Sequence, residues 1–268
     1  MNCDHIEHIY IHVPFCVSKC AYCAFYSLPA PHSPALRDSY VSQAARELTH
    51  RLTRTKASPA QTIYIGGGTP SLLTPDQVAR LLDTISQLMG IDSEAEVTLE
   101  ANPATLTPKD LAAMKYAGVN RLSIGLQSLH DDTLHFLGRI HNAEEGLTLL
   151  YNAQKVGFQT SLDLMYGLPG QTEGQWVKDL ATAVKTGVSH LSCYALSVEP
   201  GTPLANDILK GETVTPPADS DAAWFLLTHE HLATLGFDGY EVSNFAPTKE
   251  LRSRHNLAYW SHKPYLGV

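Results

Sequence analysis

A chain of 268 residues with 44% apolar content can bury a sizeable core, as one barrel or doubly wound domain or as one and a half ordinary domains. Its formal net charge of −8 excludes a general nucleic-acid binder, which needs a basic face against phosphates. No apolar run approaches the roughly 20 residues of a membrane span, and the start MNCDHIEH carries neither a basic nor an apolar targeting region. The expected location is therefore the cytoplasm, where clustered unpaired cysteines serve metals or catalysis rather than disulfides.

The pattern from His8 to Val13 alternates, with Ile9, Ile11 and Val13 opposed to Tyr10 and His12, and predicts a first strand. Ser33-Pro34 opens a helix through AARELTHRL. Thr62 to Ile65 is a second strand running into Gly66-Gly67-Gly68-Thr69-Pro70, and the capping box Thr74-Pro75-Asp76-Gln77 starts a helix to about Met89. Glu96 to Glu100 is a third strand, with Val97 and Leu99 on one face and Glu96, Thr98 and Glu100 on the other. Thr107-Pro108 starts a short helix closed by Gly118, and Arg121 to Gln127 is a fourth strand. Asn142 with Glu145, and Thr172 with Gln175, cap two further helices, with strands at Gln159 to Met165 and His190 to Leu196.

Six such βα units imply a parallel sheet with helices outside. Strands of a doubly wound sheet read almost continuously apolar. Here several carry Glu, Ser, Gln, Gly or Asp on one side, which suits a lumen that holds a ligand. The expected fold is an α/β partial (β/α)6 barrel over residues 1–197. From Ser197 the alternation fails, and 198–268 reads as a short α+β extension. It has a loop over Glu199 to Pro203, a helix from Ala222 to Leu235, a strand-like run from Tyr240 to Phe245, and a last apolar run with no evident partner.

The first strand leads into YIHVPFCVSKCAYCAFYS, in which Cys16, Cys20 and Cys23 form a CxxxCxxC pattern. A [4Fe–4S] cluster is normally held by four thiolates, so three leave one iron open to a substrate or cofactor. The alternatives are a zinc site completed by Cys3 or His12, or three unrelated buried cysteines. Zinc knuckles more often pair CxxC with a distant second pair, and downstream there is only Cys193.

At these residues the chain resembles the radical S-adenosylmethionine (SAM) superfamily, and the YIHVPFC lead-in resembles the branch containing oxygen-independent coproporphyrinogen III dehydrogenase and related heme chaperones. The dehydrogenase usually has a further Cys two places after the third ligand. Phe25 stands there in this chain. Chaperone-like members commonly read Cys-Asp-Phe, and Ala24 replaces that Asp. The resemblance implies a cluster on Cys16, Cys20 and Cys23 whose open iron takes the amino and carboxylate groups of SAM. It also implies one-electron reduction of the cluster by an electron donor and cleavage of SAM to methionine and a 5′-deoxyadenosyl radical.

Family SAM contacts carry over onto Tyr10, Gly67, Gly68, Thr69, Glu100, Gln127, Arg139, Asp163 and Ala195. The strand pattern agrees, because Glu100, Gln127 and Asp163 end or nearly end predicted strands on their polar faces, the edge where α/β folds bind ligands. The bland alternative makes Asp163 and Arg139 a structural ion pair. Near the end, His255-Asn256-Leu257-Ala258-Tyr259-Trp260 resembles a heme-associated segment, with His255 as iron ligand and Arg252 and Arg254 available to propionates. Otherwise His255 is a hydrogen-bonded helix residue beside core aromatics. The resemblance thus points to a heme chaperone that carries heme or a porphyrin to a recipient hemoprotein. The dehydrogenase, which converts two propionates to vinyl groups, is the alternative. In the family a further C-terminal domain follows, so the chain is expected to be truncated.

Overall fold

A computed structural model of the chain describes residues 5–29, 33–214 and 220–268. In chain order the strands are β1 (Ile6–Val13), β2 (Phe15–Cys16), β3 (Leu28–Pro29), β4 (Ala57–Gly67), β5 (Ile91–Ala101), β6 (Arg121–Gln127), β7 (Gln159–Tyr166), β8 (His190–Ala195), β9 (Asp238–Gly239), β10 (Asn244–Ala246) and β11 (Tyr265–Gly267). The helices are α1 (Pro34–Leu52), α2 (Pro75–Met89), α3 (Pro108–Tyr116), α4 (Asp131–Phe136), α5 (Ala143–Val156), α6 (Glu173–Lys185), α7 (Pro203–Leu209), α8 (Ser220–Thr234) and α9 (Arg254–Trp260).

Nine strands form one sheet in the order β11-β1-β4-β5-β6-β7-β8-β10-β9. The six from β1 to β8 run parallel and in chain order. The sheet ends on two unpaired edges, yet residues from β1 through β10 line one common cavity. It is therefore a sheet curled into an open barrel, the expected (β/α)6 architecture.

Sequence alternation becomes two faces. Ile9, Ile11, Ile63, Ile65, Val97, Leu99, Leu122, Ile124, Leu162 and Leu191 are buried on the outer, apolar face. Against it α1 buries Val41 and Leu48, α2 buries Leu81 and Ile85, and α6 buries Trp176 and Leu180. Each such side chain contributes about 1.5–3 kcal/mol of burial. The caps at Thr74 and Asn142 close as full capping boxes, and Thr172 accepts from the Gln175 N–H, so these helices start where the sequence expects.

Three expectations change. The strand-like run expected from Tyr240 to Phe245 is not one strand: of its residues only Asn244 and Phe245 lie in a strand, within β10. The last apolar run has a partner: β11 lies parallel to β1, with Leu266 opposite Ile9 and the Val268 N–H bonded to the Tyr10 carbonyl at 2.9 Å. The loop expected at Glu199 to Pro203 leads at once into α7, because Thr202 accepts from the Ala205 N–H and Pro203 takes the first helical position. At the other edge β10 adds antiparallel to β8, pairing Asn244 with Ser192.

Candidate functional site

The C-terminal ends of the strands open into a cavity of about 810 Å³, lined by the three cysteines, all the expected SAM contacts and His255, but not by Arg252 or Arg254. Its upper mouth is the loop between β2 and β3, whose ends are pinned by pairing Phe15 with Leu28 and Cys16 with Pro29. Cys16 is buried, while Cys20 and Cys23 are half-buried and none is in a disulfide. Burial pushes the Cys23 thiol up, with the neighbouring Cys20 and Cys16 adding to the shift.

The loop rests on the glycine turn after β4. Gly68 is forced, since a Cβ there would lie 2.7 Å from the Phe15 carbonyl oxygen and 3.0 Å from Cys16 Sγ. Gly67 takes φ +115, open to glycine but not readily to L side chains, and directs its N–H to Glu100 Oε2 at 2.9 Å. Thr69 Oγ1 donates to Cys16 Sγ at 3.6 Å. From below, Arg139 donates through Nη1 to Cys20 Sγ at 3.4 Å and through Nη2 to the Gly125 carbonyl at 2.6 Å, leaving Nε buried without a partner. Arg139 makes no ion pair with Asp163, so the bland pairing does not form. Among the described residues no group of three His, Cys, Asp or Glu side chains is arranged to hold a metal ion. His12 is engaged by the Tyr10 hydroxyl and the Tyr26 carbonyl, and Cys3 lies outside the described residues. The glycine-floored, arginine-backed loop brings three free thiols to one mouth of the cavity, and three thiolates are the donor type a [4Fe–4S] cluster takes.

Below the thiols stand two half-buried carboxyls, Glu100 and Asp163. Glu100 accepts from the Tyr64 hydroxyl at 2.8 Å and the Gly67 N–H, yet burial pushes it up to about 7. Asp163 accepts from Ser123 Oγ at 3.1 Å, and burial raises it to about 6. Carboxyls so desolvated favour a ligand that brings an ammonium or hydroxyl donors. Gln127 ends β6 at φ +70, an uncommon conformation outside glycine, beside a register shift against β7. That bend turns Gln127 Oε1 onto the Tyr194 hydroxyl at 2.6 Å. Ala195 ends β8 on the same rim, and Tyr10 stacks on Tyr64 from the β1 side.

His255 is placed differently, at the floor. It is 2% exposed, with Nδ1 2.6 Å from Thr62 Oγ1 and Nε2 3.0 Å from the Tyr259 hydroxyl, and its ring stacks on Tyr64. Burial lowers its pKa to about 3, so the imidazole is neutral. Arg252 lies over the Tyr240 ring and Arg254 reaches the Glu94 carbonyl. Sequence reasoning missed Tyr64, Ser123, Ser192, Tyr194 and Arg121 as lining residues. All five occupy polar-face positions that alternation marks but does not rank.

The Radical SAM superfamily model matches residues 10–183. The chain belongs to the radical SAM superfamily. It is 38% identical over 264 residues to the heme chaperone HemW of Bacillus subtilis, covering 98% of this chain and 69% of that protein. It is 41% identical over 263 residues to the mitochondrial radical S-adenosyl methionine domain-containing protein 1 of Bos taurus, where it spans 58% of the relative. Among solved structures, the radical SAM enzyme coproporphyrinogen III oxidase (HemN) from Escherichia coli superposes with a TM-score of 0.83 at 22% identity, over 99% of this chain and 63% of that one. No helix among the described residues is long and apolar enough to cross a membrane.

Proposed function

We propose that this radical SAM protein holds a [4Fe–4S] cluster on Cys16, Cys20 and Cys23, binds SAM beneath it, and carries heme for delivery to a hemoprotein in the cytoplasm. The observation that carries the reading is one mouth formed by three thiols and two desolvated carboxyls, in a chain 38% identical to a heme chaperone. When bound, cluster and SAM supply one-electron chemistry. The protein's share is aim and shielding. Gly67 and Gly68 let the backbone approach a ligand closely, and Thr69 adds a hydroxyl beside Cys16. Glu100 and Asp163 accept hydrogen bonds from an ammonium or ribose hydroxyls, and Arg139 offers charge beside Cys20 to a carboxylate. Gln127, Tyr10 and Ala195 complete the rim.

His255 is proposed as the axial heme ligand through its neutral ring. Nε2, now on the Tyr259 hydroxyl, is the nitrogen that would turn to iron. The curated relatives favour a chaperone over the dehydrogenase, and anaerobic incubation with coproporphyrinogen, SAM and a reductant separates the two. Stoichiometric hemin binding without decarboxylation is the expected result. Conversion of propionates to vinyl groups would overturn the chaperone reading.

A further inference from the structure

Deep in the lumen lies a cation that the proposed SAM site does not use. Arg121 begins β6, is 2% exposed and lines the cavity. Its Nε and Nη2 are buried without hydrogen-bond partners, and the register sets it opposite Thr98, whose Oγ1 is also buried and unpartnered. The carboxylates on the same face take their hydrogen bonds elsewhere: Glu96 from the start of α9, Glu100 from Tyr64 and Gly67, Asp163 from Ser123, so that Arg121 acts on Asp163 through its charge but makes no hydrogen bond to it. His190, nearby, is held neutral by burial and by Arg121 itself, and bonds to Ser161 and Tyr240. A guanidinium desolvated without a partner is costly, and folds keep one where a ligand completes it.

The geometry points to Arg121, with Thr98 Oγ1 as a further donor, as a carboxylate-binding subsite at the inner end of the lumen that takes a propionate of the heme or porphyrin cargo. The guanidinium fork matches a carboxylate with two parallel N–H bonds. The carboxylate of SAM is the other possible source. It belongs at the rim by Arg139 and Gln127, and Gln127 lies six residues along β6 from Arg121, roughly 20 Å at strand rise. The propionate assignment rests on the heme reading above.

The test uses the whole chain, reconstituted anaerobically, titrated with hemin, with hemin dimethyl ester and with SAM. The unaltered protein is expected to bind hemin about tenfold or more tighter than the ester, as loss of a charged hydrogen-bond pair implies. Arg121→Gln should lose that preference, Arg121→Lys should recover part of it, and SAM affinity should stay unchanged in both. Removing an unpartnered charge should leave Tm equal or higher. Equal binding of hemin and ester by the unaltered protein overturns the subsite while leaving the heme reading intact. Weaker SAM binding in Arg121→Gln, with hemin unaffected, assigns the carboxylate to SAM and overturns the propionate. A fall in Tm with equal loss of hemin and ester makes Arg121 structural. No hemin binding by the unaltered protein overturns the heme reading and the propionate assignment together.

Discussion

Glu96 and Glu100 stand on one face of one strand, four residues apart, and lead opposite lives. Glu96, at the floor, accepts from Ser253 Oγ at 3.4 Å, the Arg254 N–H at 2.9 Å and the His255 N–H at 3.0 Å, and so anchors the start of α9. Glu100, at the rim, has one hydroxyl and one N–H and is pushed up to about 7 by burial. The floor is fastened by protein groups, whereas the rim is built short of donors. Side-chain type does not separate Glu96 from Glu100, the proposed SAM contact. The supply of partners does.

The sharpest break in that contrast comes from the rim. Replacing any one of Cys16, Cys20 or Cys23 by Ala should abolish the visible absorption of the reconstituted cluster with little change in far-UV circular dichroism. A cluster that still forms would remove the ligand assignment. Next, Glu100→Gln should weaken SAM binding about 10- to 100-fold, the loss expected for a charge-assisted hydrogen bond.

The same variant sharpens the comparison through pH. Because the folded Glu100 and Asp163 carboxyls are raised to about 7 and about 6, each holds its proton in the ligand-free native state at pH values where it has lost it in the unfolded chain, above about pH 4. Their contribution to stability is therefore full below about pH 4, declines as pH rises, and is lost once pH has passed through about 6 to 7. Glu100 accounts for up to about 3 kcal/mol of that loss. Glu100→Gln should accordingly melt higher than the unaltered protein at pH 8. A lower Tm there would contradict the desolvation argument. At the floor the sign reverses: Glu96→Ala should cost about 2–3 kcal/mol in denaturant unfolding with SAM affinity preserved. His255→Ala should cost about 1–2 kcal/mol through its two ring hydrogen bonds and weaken hemin binding with the cluster intact. Unchanged hemin affinity and spectrum would remove His255 as a ligand.

Much of this was legible in the sequence, for local reasons. Alternation set Val97 and Leu99 against Glu96, Thr98 and Glu100, and the structure keeps that division. Caps at Thr74, Asn142 and Thr172 are local contacts, so their helices begin as expected. What alternation does not carry is which end of a strand a distant segment will cover. The docking of α9 onto Glu96 joins residues about 160 positions apart, and β11 joins β1 across nearly the whole chain. Arg121 looks like any basic residue at a strand start until the absence of a partner is visible. The positive φ of Gln127 has no local signature; it coincides with the β6/β7 register shift, a feature of strand pairing.

The central claim is an open iron above a SAM pocket at the rim. Electron paramagnetic resonance of the reduced, reconstituted chain, recorded with and without SAM, tests it most directly. The expected result is a [4Fe–4S] signal whose g-values shift on adding SAM, with the shift diminished in Glu100→Gln at the same SAM concentration. A cluster signal indifferent to SAM would contradict it.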